Sequence, residues 1–188
     1  MRELNHLSEI FFNYDTFVID LWGVMHNGIK LNSKAVEVID HLEKNSKKIV
    51  FLSNAPRPSS KVISFLIKMN MDKKFLKNVM TSGEAAMHAI NQNKYGKSFF
   101  HLGPPRDISV FEKVKGDKTG IENCDFILCT GLFDDYENDL NYYKKILSQN
   151  ISKKLICTNP DLIVHKGGIE ELCAGSVAKV FEDLGGEV

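Results

Sequence analysis

The chain has little that points to a metal clip, a membrane or a nucleic acid. Its four cysteines, Cys124, Cys129, Cys157 and Cys173, form no CxxC pair and have no histidine at zinc-finger spacing, so a structural zinc site is excluded. Three of them sit in apolar segments, where a buried free thiol is the plain reading, and a reducing cytoplasmic setting follows. No apolar run approaches the roughly 18 residues that a membrane span needs. The N-terminus interrupts its apolar residues with Arg2, Glu3 and Glu9, which argues against a secretory signal. Lys+Arg and Asp+Glu balance at 24 each, and the pairs Lys47-Lys48, Lys73-Lys74 and Lys153-Lys154 are scattered, so no nucleic-acid partner is called for. There is no internal repeat and no low-complexity linker.

What is present is a regular alternation. Thr16 to Leu21 is a compact β-branched run that reads as a buried strand and ends on Asp20, before Gly23. A helix from Ser33 follows, then a strand over Lys48 to Ser53, closed by Asn54-Ala55-Pro56. Val62, Phe65, Leu66 and Met69 give the next helix, and Val79-Met80 a brief third strand. Thr81-Ser82-Gly83-Glu84 has capping-box spacing ahead of another helix. The pattern restarts with strands at Ser98 to Leu102, Asp125 to Thr130 and Lys154 to Cys157. Helices are expected from Asp107 to Val114, from Asn138 to Ser148 and from Leu172 to Leu184, the last stopped by Gly185-Gly186. Short connections of this kind require parallel strands with right-handed crossovers. The fold class is α/β: a doubly wound, Rossmann-like parallel-sheet core over residues 1–83, an inserted α/β module over 84–170, and a return toward the core over 171–188.

An aspartate at the carboxyl end of a central strand can attack phosphorus and form an aspartyl-phosphate, or ligate Mg²⁺. Ser53-Asn54 ends the neighbouring strand, where a hydroxyl and backbone N–H groups can receive a phosphate oxygen. Gly116-Asp117-Lys118-Thr119-Gly120 lacks a preceding apolar strand and reads as a turn. His26, His165, Arg57, Lys166 and Arg106 read as loop or surface groups, and Asn159-Pro160-Asp161 reads equally as a turn.

These residues carry a resemblance. Asp20-Leu21-Trp22-Gly23-Val24, Leu52-Ser53-Asn54-Ala55-Pro56-Arg57 and Cys157-Thr158-Asn159-Pro160-Asp161 resemble, in order and spacing, motifs of the haloacid dehalogenase superfamily. Within it the match is to the subfamily IIA branch of nucleotide and sugar-phosphate phosphatases of the 4-nitrophenylphosphatase type. The resemblance implies Asp20 as nucleophile and Mg²⁺ ligand, the Trp22 backbone carbonyl as a second ligand, and Ser53 with Asn54 as the phosphoryl cradle. It makes the inserted module a C2-type cap and the substrate a small phosphorylated metabolite. Two departures accompany it. Most phosphatases of the superfamily carry a second Asp two residues after the nucleophile as general acid and base, and here that residue is Trp22. The superfamily also places a Lys and a Gly-Asp motif further along, and two strand–helix units, on the order of 60 residues, are expected to be missing beyond Val188. The Asp20 strand is then expected to be an open edge, and the chain alone weakly active or inactive. Alternative readings are a non-catalytic remnant, a subunit completed by a separate C-terminal polypeptide or by homo-oligomerisation, and, through Asp20-Leu21-Trp22-Gly23, a carbon–halogen hydrolase.

Overall fold

The computed structural model describes residues 4, 6–107, 114–166 and 168–188. After two short 3-10 turns, Leu7–Glu9 and Phe11–Asn13, the chain enters a three-stranded parallel sheet. Its strands are β1 (Thr16–Ile19), β2 (Lys48–Ser53) and β3 (Val79–Thr81), in that order. They are joined by helices α1 (Ser33–Lys44) and α2 (Ser59–Lys68), as the periodicity requires. Asn32 caps α1 through its side chain, and Asp72 caps the short turn that leads to β3.

One face of this sheet is packed. Phe17, Ile19, Ile49 and Phe51 meet Ile39 and Leu42 of α1, Val62 and Leu66 of α2, and the Met71–Leu76 connection. The opposite face is open: Val18 is 63% exposed, Leu52 53% and Met80 48%. Among the described residues β1 forms one edge and pairs with β2 alone, Thr16 opposite Lys48 and Ile19 opposite Phe51.

Helix α3 (Ser82–Asn91) leads into the second sheet, a parallel set in the order β5-β4-β6-β7. These strands are β4 (Ser98–Leu102), β5 (Asp117–Lys118), β6 (Phe126–Cys129) and β7 (Lys154–Cys157). Both faces are covered. Met87 and Ile90 of α3 lie against Phe99, Phe126 and Leu128. On the other side α4 (Leu140–Leu147) and α5 (Ala174–Asp183) pack Tyr143, Leu147, Val177 and Phe181 onto Ile127, Cys129 and Leu155. Burial on both faces explains why β6 reads as an unbroken apolar run. An antiparallel hairpin, β8 (Ile163–Lys166) and β9 (Ile169–Leu172), precedes α5.

The structure amends several sequence expectations. Asp117-Lys118 is not a turn; it adds the edge strand β5, because its backbone continues the ladder beside Ser98 and Phe99. The hairpin at 163–172 was not expected, and α5 packs on the second sheet because Val177 and Phe181 face Tyr143, Leu147 and Leu155. The helix expected over Asp107 to Val114 lies outside the described residues except at its ends. All four cysteines are free thiols, and three are buried. Among the described residues no helix is long and apolar enough to cross a membrane.

Candidate active site

Parallel pairing brings two strand ends together. With Ile19 opposite Phe51, the next residues of β1 and β2 run on in step, so Asp20 and Ser53 emerge at the same carboxyl edge of the sheet. Asp20 is exposed, and its Oδ1 accepts the Leu21 N–H at 2.7 Å, while Oδ2 accepts no hydrogen bond among the described residues. Ser53 is buried. Its Oγ accepts the Ala55 N–H at 3.2 Å, so its own O–H proton can turn to another acceptor.

The loop after β2 is held from behind by α3. Thr81 Oγ1 donates to the Arg57 carbonyl at 2.6 Å and Ser82 Oγ to the Ala55 carbonyl at 3.0 Å, while Ser59 N–H donates to Glu84 at 3.0 Å. Gly83 sits where a Cβ would come within 2.4 Å of the Pro56 carbonyl oxygen. A side chain at position 83 would push this loop away from the helix, so the predicted capping-box sequence also shapes the site.

The same loop is tied to the second module. Asn54 Nδ2 donates to Asp161 Oδ2, and the single Ser82 hydroxyl proton is shared between the Ala55 and Thr158 carbonyls. Asn159-Pro160-Asp161 therefore closes over the strand ends, with Asp161 N–H donating to Asn159 Oδ1 at 3.1 Å. Between the two modules lies a cleft of about 470 Å³. Its lining includes Trp22, His26, Ser53, Asn54, Arg57 and Lys166.

Trp22 occupies the position at which a second Asp would be sought. Its indole lies against Gly28 and Lys166: a Cβ on Gly28, whose φ is +84°, would approach the ring to 2.6 Å and the Lys166 stem to 3.4 Å. Its Nε1–H donates across to the His165 carbonyl at 3.3 Å. Trp22 thus ties hairpin β8–β9 to the loop that follows Asp20.

His26 corrects the surface assignment made from sequence. It is 5% exposed because the rings of Trp22 and Phe65 enclose it edge to face, with centroids 5.2 and 5.5 Å away. Burial lowers its pKa, and the nearby Asp20 carboxylate works in the opposite direction. Its Nδ1 accepts the Gly28 N–H at 3.1 Å.

Arg57 is exposed, as expected from sequence, but it has a partner. Its Nε lies 3.5 Å from Asp107 Oδ1, where the carboxylate is 3% exposed. Burial raises the Asp107 pKa, against the pull of Arg57 and of Thr130, which donates to Oδ2 at 3.1 Å. Thr130 Oγ1 also lies 2.9 Å from His101 Nε2. A polar chain, buried at His101, Thr130 and Asp107 and exposed at Arg57, therefore runs from the second sheet to a loop of the first. Lys166 pairs with Glu171 across the hairpin at 3.7 Å, and Arg106 pairs with Asp134.

For a cation, the site offers the Asp20 carboxylate and the Trp22 carbonyl, which accepts no hydrogen bond among the described residues. These are hard oxygen donors of the kind Mg²⁺ takes, and Mg²⁺ commonly keeps several waters. Among the described residues there is no cluster of three or more His, Cys, Asp or Glu side chains able to hold a metal.

Comparison with known proteins adds context to this geometry. The sequence model of haloacid dehalogenase-like hydrolases matches residues 17–116, just over half of the chain. A hydrolase of the haloacid dehalogenase-like family from Brucella suis 1330 superposes with a TM-score of 0.89 at 26% identity, over 98% of this chain and 68% of its own. The p-nitrophenyl phosphatase from Archaeoglobus fulgidus (TM-score 0.71, 18% identity) and the 4-nitrophenylphosphatase from Thermotoga maritima (0.68, 23%) share the fold. Each is matched over 93% of this chain and 66% of its own, so this chain spans about two thirds of the length of these structures. No curated protein matches by sequence.

Proposed function

The chain belongs to the haloacid dehalogenase-like hydrolase family, and from that premise we propose that it hydrolyses a small phosphorylated metabolite through an aspartyl-phosphate on Asp20. The observation that carries this reading is the emergence of Asp20 and Ser53 from paired strand ends beside an open cleft. Oδ2 of Asp20 attacks phosphorus, and the leaving oxygen takes the electron pair of the broken P–O bond. The Ser53 O–H donates to a phosphoryl oxygen, and Asn54, held by Asp161, fixes the loop that presents it. Water then attacks the phosphoryl group and returns the Asp20 carboxylate. Mg²⁺, held by Asp20 and the Trp22 carbonyl, would offset the negative charge of nucleophile and substrate. The second module acts as the cap that selects the leaving group, and the free thiols fit a cytoplasmic protein.

A second reading is favoured by the uncovered sheet face at Val18, Leu52 and Met80 beside the open edge of β1. Apolar strands with one bare face call for a covering partner, a C-terminal polypeptide or a second copy, and the chain alone is then a non-catalytic subunit. One assay separates the two. With 4-nitrophenyl phosphate and Mg²⁺, turnover that is lost in Asp20→Asn supports the enzyme. Equal background in both proteins supports the subunit.

A further inference from the structure

Arg57 is held from two sides, yet the proposed phosphoryl transfer gives it no task. Its backbone is set from α3: Thr81 Oγ1 donates to its carbonyl at 2.6 Å, and a Cβ on Gly83 would come within 2.7 Å of its nitrogen. Its side chain is set from the second sheet. Nε lies 3.5 Å from Asp107 Oδ1, an oxygen that accepts no hydrogen bond among the described residues, so the contact is an ion pair. Thr130 gives its one hydroxyl proton to Asp107 Oδ2 at 3.1 Å and therefore accepts from His101 Nε2–H at 2.9 Å. Gly103 leaves room for that bond, since a Cβ there would clash with Thr130 Oγ1 and lie 3.0 Å from His101 Nε2. A buried carboxylate anchored in this way fixes one edge of the guanidinium. Nη1 and Nη2 make no hydrogen bond among the described residues and remain for the cleft, which Arg57 lines with a side chain 48% exposed. The other charges of the lining are placed differently. Lys166 pairs with Glu171, Arg106 pairs with Asp134, and Asp161 accepts from Asn54. Lys61 and Glu137 form no ion pair among the described residues; Lys61 follows Arg57 by four residues at the start of α2, whereas Glu137 belongs to the second module.

We propose, deepening the phosphohydrolase reading on which this rests, that Arg57 is a specificity-determining residue. Its terminal nitrogens bind a second oxyanion, a carboxylate or another phosphoryl group, on the part of the substrate that leaves, and Asp107 is the positioning residue behind it. The planar fork of a guanidinium suits such an anion because two N–H groups meet two oxygens at once. Arg57 follows Ser53 by four residues, so their Cα atoms lie at most about 14 Å apart, and a substrate that spans both is short. Charge-assisted hydrogen bonds at a half-exposed guanidinium are worth about tenfold in affinity.

The test uses ω-phosphooxy carboxylates of two to five carbons, their primary amides, and α,ω-bisphosphates of the same lengths, all with Mg²⁺. Turnover gives kcat/KM in the wild-type chain. Binding is titrated in Asp20→Asn through the fluorescence of Trp22, the single tryptophan, which lines the same cleft. At the fitting length, a carboxylate or bisphosphate should exceed the amide by about tenfold in both readouts; whichever anion leads names the one recognised. That ratio should fall to near one in Arg57→Gln, return in part in Arg57→Lys, and shrink in Asp107→Asn. A ratio near one in wild type at every length, with both anions, would overturn the inference. So would a ratio that survives in Arg57→Gln, because an ion pair that only ties the modules together affects anion and amide alike. Absence of Asp20-dependent turnover with every compound would overturn the phosphohydrolase reading instead, and the Asp20→Asn titration still reports the anion ratio. If Asp107→Asn does not fold, the two Arg57 variants decide.

Discussion

Mild acid should loosen the second module through His101. This imidazole is buried on β4, and burial first, with Lys118 of the adjacent edge strand second, holds its pKa down from 6.5 to about 4. The unfolded chain takes up a proton on it near pH 6.5, while the folded chain does so only near pH 4. Between those values the unfolded state binds more protons, so stability falls as pH falls through that window. The full effect is about 3 kcal/mol, and about 2 kcal/mol of it is already lost at pH 5. That is a large share of the roughly 5–15 kcal/mol that holds a domain together. Urea unfolding followed by far-UV circular dichroism at pH 7 and pH 5, in wild type and His101→Gln, isolates the contribution. Glutamine can donate to Thr130 but does not titrate, so its loss on acidification should be smaller by about 2 kcal/mol. Equal losses in the two proteins, or an NMR titration of His101 at its ordinary value, would refute the reasoning.

Three further outcomes follow from the packing. Gly28→Ala strains a backbone at φ +84° and drives a methyl group into the indole, so it should cost about 1–2 kcal/mol. It should also shift the emission of Trp22, the single tryptophan of the chain; an unmoved spectrum would contradict the contact. Hydrogen bonds from Lys44 and Lys74 lower the Asp40 pKa to about 2. The stability this contributes is present above the ordinary carboxylate pKa and lost as pH falls toward 2. Carboxyl NMR should therefore show Asp40 titrating late, and Lys74→Met should bring it back up. Finally, Val18→Lys with Leu52→Lys places charges on the bare sheet face and should reduce self-association in light scattering while leaving thermal unfolding nearly unchanged. A large drop in Tm would mean that this face is packed.

The elements most legible in the sequence are those whose pattern is set by burial on known faces. β6 is apolar throughout because helices cover both its faces, β2 buries Ile49, Phe51 and Ser53 on its one covered face, and α3 declares its start through Thr81 and Glu84. Hairpin β8–β9 was missed because His165, Lys166, Glu170 and Glu171 give it no apolar face, although the Gly167-Gly168 dipeptide between two short apolar-flanked runs was an available turn signal. β5 escaped because a two-residue edge strand has no periodicity to read. In the site, Asp20, Ser53 and Asn54 were visible as strand-end residues. The burial of His26 and the Arg57–Asp107–Thr130–His101 chain were not, since each depends on partners far along the sequence. A histidine four residues after Trp22 becomes interior only when Phe65 of α2 closes its other side.

The most direct test of the central claim is to trap the intermediate on Asp20. Wild-type chain turning over acetyl phosphate with Mg²⁺ is quenched, reduced with borohydride and mapped by peptide mass spectrometry. An aspartyl-phosphate is converted to homoserine, and the account predicts homoserine at position 20 only when both donor and Mg²⁺ are present. Phosphate release with Asp20 unmodified, or with the modification at another carboxylate, would contradict it.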